Sequence, residues 1–255
     1  MIYFVGAGPG AADLITVRGQ RLLKAADVII YAGSLVNPEL LAYAKAKCRI
    51  YNSAKMTLEE VLEVMEKAEE KRYVTVRLHT GDPCLYGAVR EQMDLLDVRK
   101  IKYVSCPGVS SFCGAASTLN LEYTLPDVSQ SVIITRMEGR TKVPPKESIV
   151  SFAAHGATMV LFLSAGLLDR LSGQLLAGGY SSDTPAAIVY KATWPEEKTC
   201  ICTVGTLEKT AREHGITKTA LIIVGDAVLH NHYERSKLYH PDFTTEYRKG
   251  TEKKE

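Results

Sequence analysis

The chain carries almost no net charge. Its 31 Lys and Arg against 29 Asp and Glu leave a formal balance of +2 over 255 residues. That balance excludes the broad basic surface that drives nucleic-acid binding, so a polyanionic ligand must be met by a few placed Arg and Lys residues. Also missing is any run approaching the ~18 apolar residues a membrane span needs. The N-terminus, Met1-Ile-Tyr-Phe-Val-Gly6, has no basic leader and no small-residue cleavage site, and reads as a first buried strand. Cys48, Cys84, Cys106, Cys113, Cys200 and Cys202 form no Cys-x-x-Cys pair. A chain this long needs no disulfide framework, so buried free thiols in a reducing cytoplasm are the expectation. No sequence repeat links the two halves, and no low-complexity tract interrupts them. These absences point to a cytoplasmic protein with neither nucleic acid nor membrane as partner.

What is present is ordinary for a folded domain: 46% hydrophobic and 24% charged residues. Short β-branched and aromatic runs alternate with amphipathic stretches, the pattern of βα units around mainly parallel sheets. In the first half the expected strands are 2–5, 28–31, 49–51, 74–78 and 103–105. Between them, Leu58, Val61, Leu62, Met65 and Ala68 fall on one stripe of a helix over 57–71, and Glu60 stands three residues after Thr57 as in a capping box. A polar stretch over 120–130 breaks the pattern. Strands then resume at 131–135, 158–163, 186–191, 200–204 and 220–224. The expected fold class is therefore α/β in two αβα domains, 1–119 and 120–232, followed by a polar tail over 233–255 whose end frays.

The first strand runs into Gly6-Ala-Gly8-Pro9-Gly10-Ala-Ala-Asp13. This nearly fits a dinucleotide fingerprint, in which glycines let the backbone approach a ligand. Two features weigh against a dinucleotide-dependent oxidoreductase. The second strand ends in Ala32-Gly33-Ser34, with no acidic residue for a ribose hydroxyl. The helical pattern starts only near Thr16, so the glycines need not sit at a helix N-terminus.

Four more segments fall where strands should end: Arg77-Leu-His79-Thr80-Gly81-Asp82-Pro83-Cys84-Leu85-Tyr86-Gly87, Cys106-Pro-Gly-Val-Ser110-Ser111, Tyr31-Ala-Gly-Ser-Leu-Val36 and Arg136-Met-Glu-Gly-Arg140-Thr141. Ligands of parallel α/β sheets bind outside the carboxyl ends of strands. The set G-x-G-P-G, G-D-P-x-x-Y-G and P-G-V-S-S, in this order, resembles the tetrapyrrole methylase family, and the resemblance reaches to about Val228. Tyr31–Val36 and Arg136–Thr141 are most similar to the branch that methylates carbon 11 of precorrin-4 or cobalt-precorrin-4 in vitamin B12 synthesis. The rivals within the family act on uroporphyrinogen or on another precorrin carbon.

The resemblance implies S-adenosylmethionine as cofactor, held in a cleft between the two domains, and a homodimer. It places Pro9, Thr80, Gly81, Asp82, Leu85, Ser110 and Ser111 against the cofactor, with Leu163 and Ala187 from the second half. Cys84 and Cys106 depart from residues common at their positions, but neither change removes a charge or a backbone donor. Such chemistry asks for placement of the reacting carbon, with no nucleophile and no protein metal site. Exchange of a proton for a methyl needs an acceptor. Asp82 is the carboxylate nearest the expected cleft, although it also suits a turn in which it accepts backbone N–H groups. The carboxylates of the corrinoid substrate call for guanidinium or ammonium partners, and Arg77, Arg136, Arg140 and Lys142 lie at or near strand ends, with Lys55 and Arg90 further out. His79 either lines the cleft or sits in the core. His230 and His232 have no third metal ligand nearby in sequence.

Overall fold

Strand and helix alternate from the first residues of the computed structural model, which describes residues 1–229 and 233–251. The first half comprises β1 (Ile2–Gly6), α1 (Val17–Ala25), β2 (Val28–Tyr31), β3 (Arg49–Asn52), α2 (Leu58–Glu70), β4 (Thr75–His79), α3 (Arg90–Val98), β5 (Tyr103–Cys106) and α4 (Ser111–Leu119). Its sheet has the order β3-β2-β4-β1-β5, and all its pairings are parallel. Both faces are buried, which is why these strands read as nearly continuous apolar runs. Val5, Ile29, Val76 and Leu78 pack with Leu23 of α1 and with Leu40 on one face. Ile2, Phe4, Val28 and Ile30 pack on the other with Val61, Leu62 and Met65 of α2 and with Met93 and Leu96 of α3. Each fully buried aliphatic side chain contributes about 1.5–3 kcal/mol.

Helix ends follow the side chains that satisfy them. Thr57 Oγ1 accepts the Glu60 N–H at 3.3 Å while Glu60 Oε2 accepts the Thr57 N–H at 2.7 Å, the reciprocal box expected at the start of α2. Thr16 caps α1 through the Gly19 N–H at 3.1 Å. The helix thus starts well past the glycines, as its sequence pattern indicated.

The second half comprises β6 (Val132–Arg136), α5 (Ile149–Ala153), β7 (Thr158–Phe162), α6 (Leu168–Ala177), β8 (Pro185–Tyr190), β9 (Lys198–Thr203), α7 (Leu207–Glu213) and β10 (Ala220–Val224). The sheet order is β6-β7-β10-β8-β9. β6 and β7 are parallel, whereas β10 enters antiparallel to β7. Helix α6 packs against both α5 and α7. Among the described residues, no helix is long and apolar enough to cross a membrane.

The chain forms two compact units. One is Met1–Thr118 with Val189–Lys198; the other is Leu119–Ile188 with Thr199–Glu255. The division read from sequence at 119 and 120 does not include the excursion Val189–Lys198, which leaves the second half and packs with the first. Residues 233–251, read from sequence as a separate tail, are grouped with the second unit.

Candidate functional site

Three adjacent strands of the first sheet, β4, β1 and β5, end in glycine turns that pack backbone on backbone. A Cβ added to Gly6 would stand 2.5 Å from Gly108 Cα and 2.6 Å from the Gly81 carbonyl oxygen, so only glycine permits this approach. The Gly81 N–H donates to the Gly8 carbonyl at 2.8 Å, and the Gly8 N–H returns a bond to Gly81 at 3.2 Å. Gly81 has a φ of 59°, left-handed backbone that disfavours side chains, and its missing Cβ would lie 3.3 Å from the Ser111 nitrogen. The turns thus bring Gly8, Gly81, Ser110 and Ser111 together from three strand ends.

Asp82 fastens this assembly. Its Oδ1 accepts the Cys84 N–H at 2.8 Å and its Oδ2 accepts the Gly108 N–H at 2.9 Å. Burial pushes its carboxyl up, but the hydrogen bonds from Cys84 and Gly108 outweigh that and hold it below the ordinary carboxylate value. With both oxygens engaged and its basicity lowered, it is suited to bracing two turns and poorly suited to taking a proton. Pro9, Gly81 and Ser110 are buried, while Thr80, Leu85 and Ser111 are half-buried around them. Cys106 sits in the apolar core, and Cys84 is exposed.

Arg77, expected near the ligand, lies inside the first unit, and of the two places open to His79 the structure shows the core. Val76 and Leu78 fill the face toward α1, so the alternation of β4 turns Thr75, Arg77 and His79 toward α2 and α3. Arg77 is 6% exposed. Its Nε donates to Gln92 Oε1 at 3.1 Å and a terminal nitrogen to the Ile30 carbonyl at 3.2 Å. Gln92 in turn donates to the Ala88 carbonyl at 2.9 Å, so the buried guanidinium braces the loop that closes G-D-P-x-x-Y-G. Burial lowers its pKa to about 10, which leaves it charged. His79 stacks on Phe4 with ring centroids 6.3 Å apart. Its Nε2 is buried and finds no hydrogen-bond partner among the described residues. Burial, and to a lesser degree the charge of Arg77, lower its pKa to about 3, so it is neutral.

In the second unit, Leu163 follows β7 with a φ of 52° and is 66% exposed. A residue with a Cβ in left-handed backbone costs roughly 1–2 kcal/mol, so an exposed leucine there is a notable outlier. Ala187 is fully buried in β8. After β6, Arg136 turns back on its own loop: its terminal nitrogens donate to the carbonyls of Met137 at 3.1 Å, Thr141 at 3.2 Å and Lys142 at 2.8 Å. Ser164 closes the base of this loop by accepting the Met137 N–H at 3.0 Å. Arg140 and Lys142 are exposed. Of the outer cations, Lys55 is exposed, and Arg90 pairs with Asp94 at 2.7 Å and Asp97 at 3.0 Å. His230 and His232 lie outside the described residues.

The excursion Val189–Lys198, which no local sequence pattern tied to the first half, reaches the glycine turn through Trp194 and Thr193. The one available signal was that Trp194 is the single tryptophan of the chain.

The first unit is therefore that of a parallel α/β protein whose candidate site is built from backbone turns at strand ends. Residues 1–208 match the family of Tetrapyrrole (Corrin/Porphyrin) Methylases, and the chain belongs to that family. It is 49% identical over 252 residues to the cobalt-precorrin-4 C(11)-methyltransferase of Methanocaldococcus jannaschii, covering 99% of this chain and 97% of that one. Among solved structures it resembles the X-ray structure of a cobalt precorrin-4 methyltransferase, with a TM-score of 0.87 and 44% identity over 89% of this chain and 95% of that one. The uroporphyrin-III C-methyl transferase of Thermus thermophilus complexed with S-adenosylhomocysteine is 25% identical, with a TM-score of 0.73 over 90% of this chain and 99% of that chain.

Proposed function

We propose that the protein transfers a methyl group from S-adenosylmethionine to carbon 11 of precorrin-4 or its cobalt form, as a step of cobalamin synthesis, and that it works as a cytoplasmic homodimer. The observation that carries this reading is the near-half identity, over almost the whole chain, to a relative named for that reaction.

The residues present fit the cofactor. The turns after β1, β4 and β5 offer backbone polar groups and small side chains, and the missing Cβ of Gly81 leaves a cradle beside Ser110 and Ser111. Among Pro9, Thr80, Gly81, Asp82, Leu85, Ser110 and Ser111 the one charged group is the Asp82 carboxylate, which is ionised at neutral pH. A lone anion suits a cationic sulfonium. When bound, S-adenosylmethionine supplies a methyl on positively charged sulfur that departs as a neutral thioether. Pro9, the backbone of Thr80 to Asp82, Leu85, Ser110 and Ser111 would hold it, with Leu163 and Ala187 from the second unit.

The protein's contribution is then placement. Holding a carbon nucleophile in line with the reacting bond supplies about 7–11 kcal/mol of a barrier without any nucleophilic side chain. Arg140 and Lys142 would meet substrate carboxylates, while Arg136 keeps their loop folded. Incubating the protein with methyl-labelled S-adenosylmethionine and precorrin-4, with and without cobalt, and locating the new methyl tests the reading. Label at carbon 11 is expected; label at another carbon, or none, overturns it.

A further inference from the structure

The glycine turn after β1 is held from outside its own neighbourhood. The indole Nε1–H of Trp194 donates to the Pro9 carbonyl at 3.2 Å, and Thr193 Oγ1 accepts the Ala11 N–H at 3.0 Å. From the other side, Asn37 Nδ2 donates to the Gly10 carbonyl at 2.9 Å. A Cβ on Gly10 would overlap Cδ1 of Trp194 and stand 2.8 Å from the Ala192 carbonyl oxygen. Gly10 is thus glycine because the indole is seated against it. The same excursion reaches the helix after β5: Glu197 Oε2 accepts the Thr118 hydroxyl at 2.7 Å as well as the Thr193 N–H. A Cβ on Gly114 would lie 2.7 Å from Pro9 and 3.4 Å from Thr193 Cγ2.

The excursion itself is strained into this shape. Lys191 and Thr193 have φ angles of 47° and 67°, left-handed values that cost a β-branched threonine most. Such backbone persists where surrounding contacts over-determine it. Here those contacts are the bonds of Thr193 to Ala11 and Glu197, and Lys191 Nζ lying 5.2 Å over the Trp194 ring.

We propose that Trp194 and Thr193 are positioning residues for the cofactor, acting through the glycine turn: they fix the Pro9 carbonyl and the Ala11 N–H so that Pro9 is presented in one orientation. This rests on the reading above that the turn contacts S-adenosylmethionine. A plain packing role would demand the ring and the methyl, whereas a positioning role demands the indole N–H and the hydroxyl.

Thr193→Val keeps the bulk and removes the hydroxyl, Thr193→Ser restores it, and Trp194→Phe removes the indole N–H together with part of the ring, so the Thr193 pair separates positioning from packing. Calorimetric titration with S-adenosylhomocysteine should show Kd raised about five- to tenfold in Thr193→Val and Trp194→Phe, the scale of a lost neutral hydrogen bond, and near the parent value in Thr193→Ser. KM for S-adenosylmethionine should rise by the same factor while KM for the corrinoid stays put. The Ala11 amide resonance should shift in Thr193→Val and return in Thr193→Ser. If Trp194→Phe fails to fold, the Thr193 pair decides alone. Variants that bind S-adenosylhomocysteine within twofold of the parent overturn the positioning role and leave the cofactor reading standing. A parent protein that does not bind it at all overturns both.

Discussion

The Gly108 N–H donates to the Asp82 carboxylate at 2.9 Å and so locks the turn after β4 to the turn after β5. Because the other carboxylate oxygen takes the Cys84 N–H, this group is consumed by the architecture of the site. The only charge among the proposed cofactor contacts is therefore also the brace that keeps two of the three turns in register.

That double role has a measurable pH signature. Asp82 is held below its ordinary value of 3.8 in the folded chain. Its contribution to stability is then fully present above the unfolded value and is lost as pH falls through the folded one. Asp82→Ala should cost about 1–2 kcal/mol at neutral pH, after discounting for its partial exposure. Urea unfolding at pH 7 and at pH 3 should show the gap between parent and variant narrowing at the lower pH. A gap that is the same at both would show that the carboxylate charge does not brace the turns.

Leu163 invites a trade between stability and binding. Its left-handed φ of 52° costs a leucine and costs glycine nothing. Leu163→Gly should leave the melting temperature unchanged or raise stability by up to about 1 kcal/mol, since the exposed side chain packs little and glycine's own entropy cost offsets part of the relief. If the leucine faces the cofactor, the same variant should weaken S-adenosylhomocysteine binding severalfold in calorimetry. Unaltered affinity would remove Leu163 from the site.

How much of this could be read in the sequence depended on range. Strand positions and the Thr57–Glu60 box are set by neighbours a few residues apart, and the periodicities expose them directly. The glycine motifs were legible for the same reason, since a turn's demand for glycine is local. The burial of Arg77 escaped because strand-end position was weighed above alternation: Thr75-Val-Arg-Leu-His already places Arg77 and His79 opposite Val76 and Leu78. The bonds of Arg136 to three loop carbonyls were not legible for a different reason, since they depend on a backbone path that residue types do not reveal. The excursion that seats Trp194 against Pro9 joins residues 185 apart. No local pattern encodes that, and the antiparallel entry of β10 beside β7 escaped for the same cause.

His79 should make the protein acid-sensitive. Its pKa falls from 6.5 to about 3 on folding, so between those values the unfolded chain binds the extra proton and stability rises with pH. The slope is about 1.4 kcal/mol per pH unit, so the parent should lose about 2 kcal/mol on this account between pH 7 and pH 5. His79→Gln, which does not titrate, should lose correspondingly less over the same interval in urea melts. Equal losses in both proteins would mean that the imidazole gains a proton in the folded state.

The substrate grip falls to the cations the structure leaves at the surface. With Arg77 buried against Gln92 and Arg136 spent on the carbonyls of its own loop, Arg140 and Lys142 remain exposed on the segment after β6. A single solvent-screened contact to a carboxylate is worth up to about 1 kcal/mol, so Arg140→Ala or Lys142→Ala should raise the corrinoid KM about three- to fivefold. Arg140→Lys should recover only part of this, because ammonium cannot make the two-pronged contact. Added salt should shrink the difference from the parent, as screening reaches exposed pairs first. Arg136→Ala should behave in another way: freeing the carbonyls of Met137, Thr141 and Lys142 loosens the loop, so its loss of affinity should persist at high salt. S-adenosylhomocysteine binding should be the same in all four. Steady-state kinetics at low and high ionic strength separate the two roles, and parent-like KM values in Arg140→Ala and Lys142→Ala would move the carboxylate contacts to another part of the protein.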